Sequence, residues 1–212
     1  MVSRAEVREQ RRRRREESER EILEAAEQLL RERPFRDLTV DDLMTVTDQS
    51  RTAFYRHFSD RQDLLIRLLS DLAEELYETA GAWLGGGENP RAESLQAFEL
   101  LTSVYQQHGP LLRAIAEAAN HDQEIEEAYS RLVQLFIDAT IARLERDQAA
   151  GRIVLPHLRE MAMALVWMSE RYLTLTFGQP GSGDHATAVA VLHTIWMRAV
   201  YRIDPPPSPP AR

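Results

Sequence analysis

Apolar residues recur at three- and four-residue spacing along almost all of this chain. In SEREILEAAEQLLRER (18–33), Ile22, Ala25, Ala26, Leu29 and Leu30 form one stripe of a 3.6-residue helix. Little of the sequence alternates at period two, so the expected fold class is all-α, with the stripes packed on one another. Ser18 followed by Glu21 is a capping-box pattern and marks the expected start of this first helix, which Pro34 ends. Thr39, with Asp41 and Asp42 behind it, caps VDDLMTVT. After the break Asp48-Gln49-Ser50, Ser50 caps RTAFYRHF, and Asp60 caps a long helix running to about Leu84. GGGENP (85–90) is a helix-breaking connector. Five further helical stretches are expected at about 91–107, 110–119, 122–148, 157–177 and 185–202, with HGP, NHD, AAGRIVLP and GQPGSG between them.

With 212 residues, 43% of them hydrophobic, the chain can bury a sizeable core. It has no cysteine, which excludes disulfides and thiolate metal sites and fits a reducing cytosol. No apolar run is long enough to span a bilayer, and the basic start has no apolar stretch behind it, so a cytoplasmic protein without membrane association is expected. The net charge of −8 is unevenly distributed. Residues 1–67 hold 15 arginines against 15 acids, and residues 68–212 hold 11 against 19. Residues 1–15 alone hold seven arginines and two glutamates. Positive charge is thus concentrated at the N-terminal end of an otherwise acidic chain.

The chemistry sits in DQSRTAFYRHFSDRQDLL (48–65). On a helix, Phe54 and Phe58 share one side with Ala53 nearby, and that side packs inward. Arg51, Thr52, Tyr55 and Arg56 project elsewhere. A short helix, a tight turn and a second short helix with an arginine-bearing outer face make a helix-turn-helix pattern. In the major groove of DNA, arginine can donate two bonds to guanine, and threonine can reach a base edge or methyl. Short amphipathic helix pairs also occur in proteins that never touch DNA, so periodicity alone leaves both readings open.

The order of residues is more specific. From Ile22 to Leu65 the chain resembles the DNA-binding domain of the TetR family of bacterial repressors. SRTAFYRHFSDRQDLL is similar to that family's Ser-x-x-x-(aromatic or Leu)-Tyr-x-x-Phe-x-x-Lys-x-x-Leu signature, with Arg61 where lysine is usual. Farther on, ALVWMSERYLTLTF (164–177) and VLHTIWMRAVY (191–201) resemble the EthR-like branch of the family. The resemblance implies groove reading by Arg51, Thr52 and Arg56, and phosphate contacts from Tyr55, His57, Thr39 and Arg61. His57 reads equally as a packing residue. Arg11 to Arg15 read either as a solvated flank or as an arm on the DNA backbone or minor groove. The chain departs from the family at the turn, where Asp48 stands for glycine, Met44 for alanine and Gln49 for a small hydrophobe.

The implied organisation is a basic, disordered arm at 1–17, a helix-turn-helix domain at 18–66, a ligand-binding and dimerisation bundle at 67–203, and a disordered Pro-rich tail at 204–212. One such head reads only a few base pairs, so a homodimer on a palindromic operator in double-stranded DNA is expected. The last two helices are apolar on more than one side. Met163, Trp167, Arg171, Thr174, His193 and Met197 are the candidate dimer residues, each of which could equally be ordinary core. By resemblance, the bundle encloses a cavity for a lipophilic small molecule, lined by Phe98, Thr102, Tyr105, Phe136, Thr140, Val166, Ser169 and Trp196. Thr102, Thr140 and Ser169 would offer hydroxyls, and Val166 and Ser169 stand where asparagines are usual.

The expected function is therefore that of a ligand-responsive regulator, in the main a repressor released by its effector. No catalytic residue, cofactor or metal is expected, because the six histidines form no metal-spaced helical pair and residues 85–87 lack the lysine of a phosphate loop. The alternative is a helical small-molecule-binding or scaffold protein without sequence-specific DNA binding.

Overall fold

The computed structural model describes residues 4–202. The proposed tail at 204–212 and residues 1–3 of the arm lie outside them. Eight α-helices follow in order: α1 (Arg4–Glu32), α2 (Val40–Thr47), α3 (Arg51–His57), α4 (Arg61–Gly85), α5 (Pro90–Ala119), α6 (Gln123–Ala149), α7 (Leu158–Phe177) and α8 (His185–Trp196). A 3-10 turn at Phe35–Asp37 joins α1 to α2, and α8 closes in a π-turn at Met197–Tyr201. The described residues contain no strand.

Two expected breaks are absent. Helix α1 begins at Arg4 rather than Ser18, so residues 4–17 are helical and not a disordered arm. Its first turns are laced with i,i+3 and i,i+4 ion pairs, Arg12 to Glu9 at 2.9 Å, Arg13 to Glu9 at 3.0 Å and Arg12 to Glu16 at 3.5 Å. Ser18 accordingly caps nothing. Helix α5 runs through His108-Gly109-Pro110, merging the two stretches expected there. Gly109 lies against the Phe177 carbonyl with no room for a side chain, so this glycine serves a close helix contact rather than a break.

The chain forms two compact units, residues 1–71 with 114–128, and residues 72–113 with 129–212. The first is built on Ile22, Ala25, Ala26, Leu29 and Leu30 of α1, Leu43 and Met44 of α2, and Phe54 and Phe58, all buried. Ile115 and Ile125 add to its core, so this unit takes in residues beyond the 66/67 boundary read from the sequence. The second unit packs the C-terminal part of α4 and most of α5 and α6 with α7 and α8, burying Leu76, Trp83, Phe98, Leu112, Leu144, Leu173, Phe177 and Trp196.

Candidate nucleic-acid interface and ligand cavity

In the first unit the local sequence sets the helix-turn-helix. Thr39 and Asp42 form a reciprocal capping box, with Asp42 N donating to Thr39 Oγ1 at 3.1 Å and Thr39 N to Asp42 Oδ2 at 2.8 Å. Asp48 ends α2 in the left-handed region at φ 51°, the conformation that glycine would otherwise supply. Ser50 caps α3 through Ala53 N at 3.2 Å. Gln49 is half-buried and ties the turn to α1, accepting from Ser18 Oγ at 2.7 Å and donating to Glu21 Oε2 at 2.8 Å. Phe54 and Phe58 face inward with ring centroids 5.4 Å apart, and Met44 is buried as well.

With α3 anchored in this way, Arg51, Thr52, Tyr55 and Arg56 are exposed on its outer side, Tyr55 at 53%. Arg51 is paired with Asp41 Oδ1 at 2.7 Å, and this pairing, first through the hydrogen bond and then through charge, raises its pKa. Thr39 is exposed, but its hydroxyl donates to Asp42 Oδ2 at 2.6 Å. Arg61 donates to the Leu38 carbonyl and lies over the Phe35 ring at 5.5 Å, so part of its donor set is used inside the protein.

His57 is not on the outer surface. Its side chain has no exposed area, and Nε2 lies 3.2 Å from Ser18 Oγ. Ser18 gives its own proton to Gln49, so His57 Nε2 carries the hydrogen in that contact. Nδ1 is 3.7 Å from Glu19 Oε2 and makes no hydrogen bond. Burial holds this imidazole below its usual pKa, Glu19 opposes that, and Arg15 and Arg56 add to the depression. In this position the ring packs against α1, which favours the packing reading of His57 over the phosphate contact.

The second unit contains a cavity of about 870 Å³, counting all space free of protein atoms up to and including its open mouth. Of the expected lining residues, Phe98, Tyr105, Phe136, Thr140, Val166, Ser169 and Trp196 surround it. Thr102 does not. It is fully buried, and its hydroxyl has no hydrogen-bond partner. Ser169 gives its proton to the Leu165 carbonyl at 2.8 Å and accepts from Trp196 Nε1 at 2.9 Å, so it has no donor to offer a ligand.

Glu170 also lines the cavity and went unnoticed in the sequence. Its Oε1 accepts from the Tyr129 hydroxyl and from Thr174 Oγ1, the latter at 2.7 Å. Burial, followed by the Glu170 charge, pushes the Tyr105 and Tyr129 phenols well above their ordinary pKa. The available signal was spacing, since Glu170 stands four residues after Val166 and four before Thr174 on the buried stripe of α7.

Of the candidate dimer residues, Met163, Trp167 and Arg171 are exposed on α7, the two apolar ones at 47% and 37%. Thr174, His193 and Met197 are core instead. Thr174 serves Glu170, His193 Nε2 lies 3.1 Å from the Arg91 carbonyl, and Met197 is 1% exposed. Leu175 and Val191, not anticipated, are exposed at 73% and 37% on the same two helices.

Residues 22–68 match the family of bacterial regulatory proteins called tetR, and residues 94–202 match the C-terminal domain of the transcriptional regulator EthR. The HTH-type transcriptional regulator EthR of Mycobacterium tuberculosis is 31% identical over 188 residues, which are 85% of this chain and 85% of that protein. The chain belongs to the TetR family of transcriptional regulators. Its EthR relative in Mycolicibacterium smegmatis is 29% identical over 187 residues, 85% of this chain and 84% of that one. Among solved structures, Salmonella enterica GusR superposes with a TM-score of 0.72 at 18% identity, covering 86% of this chain and 95% of its own. PfmR of Thermus thermophilus gives 0.69 at 18%, covering 82% and 96%. This TetR-family regulator is thus a DNA-binding, helix-turn-helix protein of transcription control, with an EthR-type C-terminal domain. No helix among its described residues is long and apolar enough to cross a membrane.

Proposed function

We propose that this regulator is a ligand-responsive repressor that acts in the cytoplasm as a homodimer on a palindromic operator and is released by a lipophilic small molecule. The observation that carries the reading is the division of α3. Phe54 and Phe58 are buried on one side, while Arg51, Thr52, Tyr55 and Arg56 stand exposed on the other. Arg51, Thr52 and Arg56 then read base edges, and Tyr55 contacts phosphate together with Thr39 and Arg61. Arg51 leaves Asp41 to do so, an exchange of one exposed partner for another.

The dimer is supported by the uncovered apolar side chains Met163, Trp167, Leu175 and Val191 on α7 and α8. The effector site is supported by the cavity and its largely apolar lining. Helix α4 supplies Leu64 and Leu65 to the core of the first unit and Leu76, Ala80, Trp83 and Leu84 to the cavity. A ligand that moves this helix would alter the spacing of paired α3 helices. A preference of about 1–3 kcal/mol for the non-binding state weakens DNA binding roughly 5- to 150-fold.

Selection from random duplexes tests the reading. Enrichment of a palindrome with half-sites about 34–36 Å apart, or a multiple of that, is expected. An unenriched pool favours a scaffold or small-molecule-binding protein without sequence-specific DNA binding.

A further inference from the structure

Of the described residues that line the cavity, Glu170 alone is charged. It is 9% exposed, and its two oxygens are treated differently. Oε1 accepts from the Tyr129 and Thr174 hydroxyls, whereas Oε2 is buried without a hydrogen bond from the protein. Arg171 Nε is 4.0 Å from Oε2, beyond hydrogen-bond distance, on a side chain that is 57% exposed. A buried carboxylate oxygen without a donor is costly, and a bound donor is one way to relieve that cost. The surrounding lining is rich in π-faces, from Trp83, Phe98, Tyr105, Tyr129, Phe136 and Trp196. Aromatic faces around a carboxylate suit an ammonium group, which the rings attract and the carboxylate neutralises.

We propose that the cavity selects an apolar amine in its protonated form, with an ammonium N–H on Glu170 Oε2 and the apolar body against the aromatic lining. The proposal rests on the cavity being the effector site and narrows the chemical class of that effector. A neutral alcohol would donate to Oε2 but leave the charge unbalanced, and a carboxylate would be repelled. Of the three hydroxyls expected to orient a ligand, Thr140 lines the cavity, and the other two are committed or outside it. Ser169 has spent its proton on Leu165, Val166 has none, and Thr102 is outside the lining. Tyr105 and Tyr129 stay protonated, because burial and the Glu170 charge both disfavour the phenolate.

The test is calorimetric titration of the full chain at pH 7 with 4-phenylbutylamine, 4-phenylbutan-1-ol and 4-phenylbutyrate, which share one apolar body. The amine is expected to bind at least about tenfold more tightly than the alcohol, the scale of a charged hydrogen bond, with the butyrate weakest. Glu170→Gln, which keeps an acceptor for Tyr129 and Thr174, should bring amine and alcohol within roughly threefold of each other. The comparison in the unaltered protein decides the matter even if the variant does not fold. An amine that binds no better than the alcohol overturns the proposal and leaves the apolar effector site standing. A preference that persists in a folded Glu170→Gln also overturns it, by placing the amine elsewhere. If none of the three binds, the proposal falls. The effector-site reading then falls with it unless butylbenzene raises the melting temperature.

Discussion

Removing the carboxylate of Asp147 should destabilise the protein by about 3–5 kcal/mol, the scale of a broken buried ion pair. Neither Asp147 nor Arg143 has any exposed side-chain surface. Asp147 Oδ2 accepts from Arg143 Nε at 2.9 Å and from the Tyr201 hydroxyl at 2.6 Å, and Oδ1 accepts from Arg152 Nε at 2.9 Å. Arg143 also donates to the Trp83 carbonyl and to Glu93 Oε2, the latter at 3.2 Å, so it fixes the C-terminal turn of α4. In Asp147→Ala the buried guanidinium keeps, among the described residues, only Glu93 as a counter-charge. For a chain of this size the melting temperature should fall by roughly 6–20 °C. Urea unfolding at fixed protein concentration, followed by circular dichroism, measures the loss directly. Arg143→Met combined with Asp147→Ala removes both buried charges and should cost less than the two single losses added together. A single loss below about 1 kcal/mol, the scale of an exposed pair, or strictly additive losses, would refute the reasoning.

The same carboxylate shapes the acid limb. Burial raises its pKa, but the bonds from Tyr201, Arg143 and Arg152 outweigh that and leave it below the usual carboxylate range. Its contribution is therefore present above about pH 4, the unfolded value, and lost as pH falls through the lower folded value. Asp147→Ala should show a shallower acid limb. His57 and His193 are both held low, chiefly by burial, so an unfolded chain takes up their protons first as pH falls below about 6.5. Stability should drop from pH 8 to pH 5, and His57→Gln should flatten the drop in thermal melts. Gly109→Ala drives a methyl into the Phe177 carbonyl and should cost about 1–3 kcal/mol in urea unfolding. Leu175→Glu alters an exposed side chain, so it should shift sedimentation toward monomer while leaving probe binding in the cavity unchanged.

What the sequence revealed follows from local physics. Thr39, Ser50 and Asp60 cap their helices through short-range hydrogen bonds, which residue order alone predicts, and α2, α3 and α4 begin where expected. Long-range packing decides the rest. Ser18 and Glu21 have the look of a capping box, yet their partner is Gln49, some 30 residues away in sequence. Reading Ser18 as a helix start therefore hid α1's extension. Gly109-Pro110 looks like punctuation until Phe177 is brought against it. Seven lining residues of the cavity were legible through the resemblance to the EthR-like branch, since aromatics at helical spacing alone read as core. Glu170 was not, since an acid in Met-Ser-Glu-Arg reads as solvated until Tyr129 and Thr174 are seen to hold it.

The central claim concerns the outer side of α3, and fluorescence anisotropy with the selected operator tests it most directly. Arg51→Ala should reduce discrimination between operator and scrambled duplex by roughly 5- to 150-fold, the worth of one base-reading side chain, with the fold unchanged by circular dichroism. Discrimination equal to that of the unaltered protein would contradict the account.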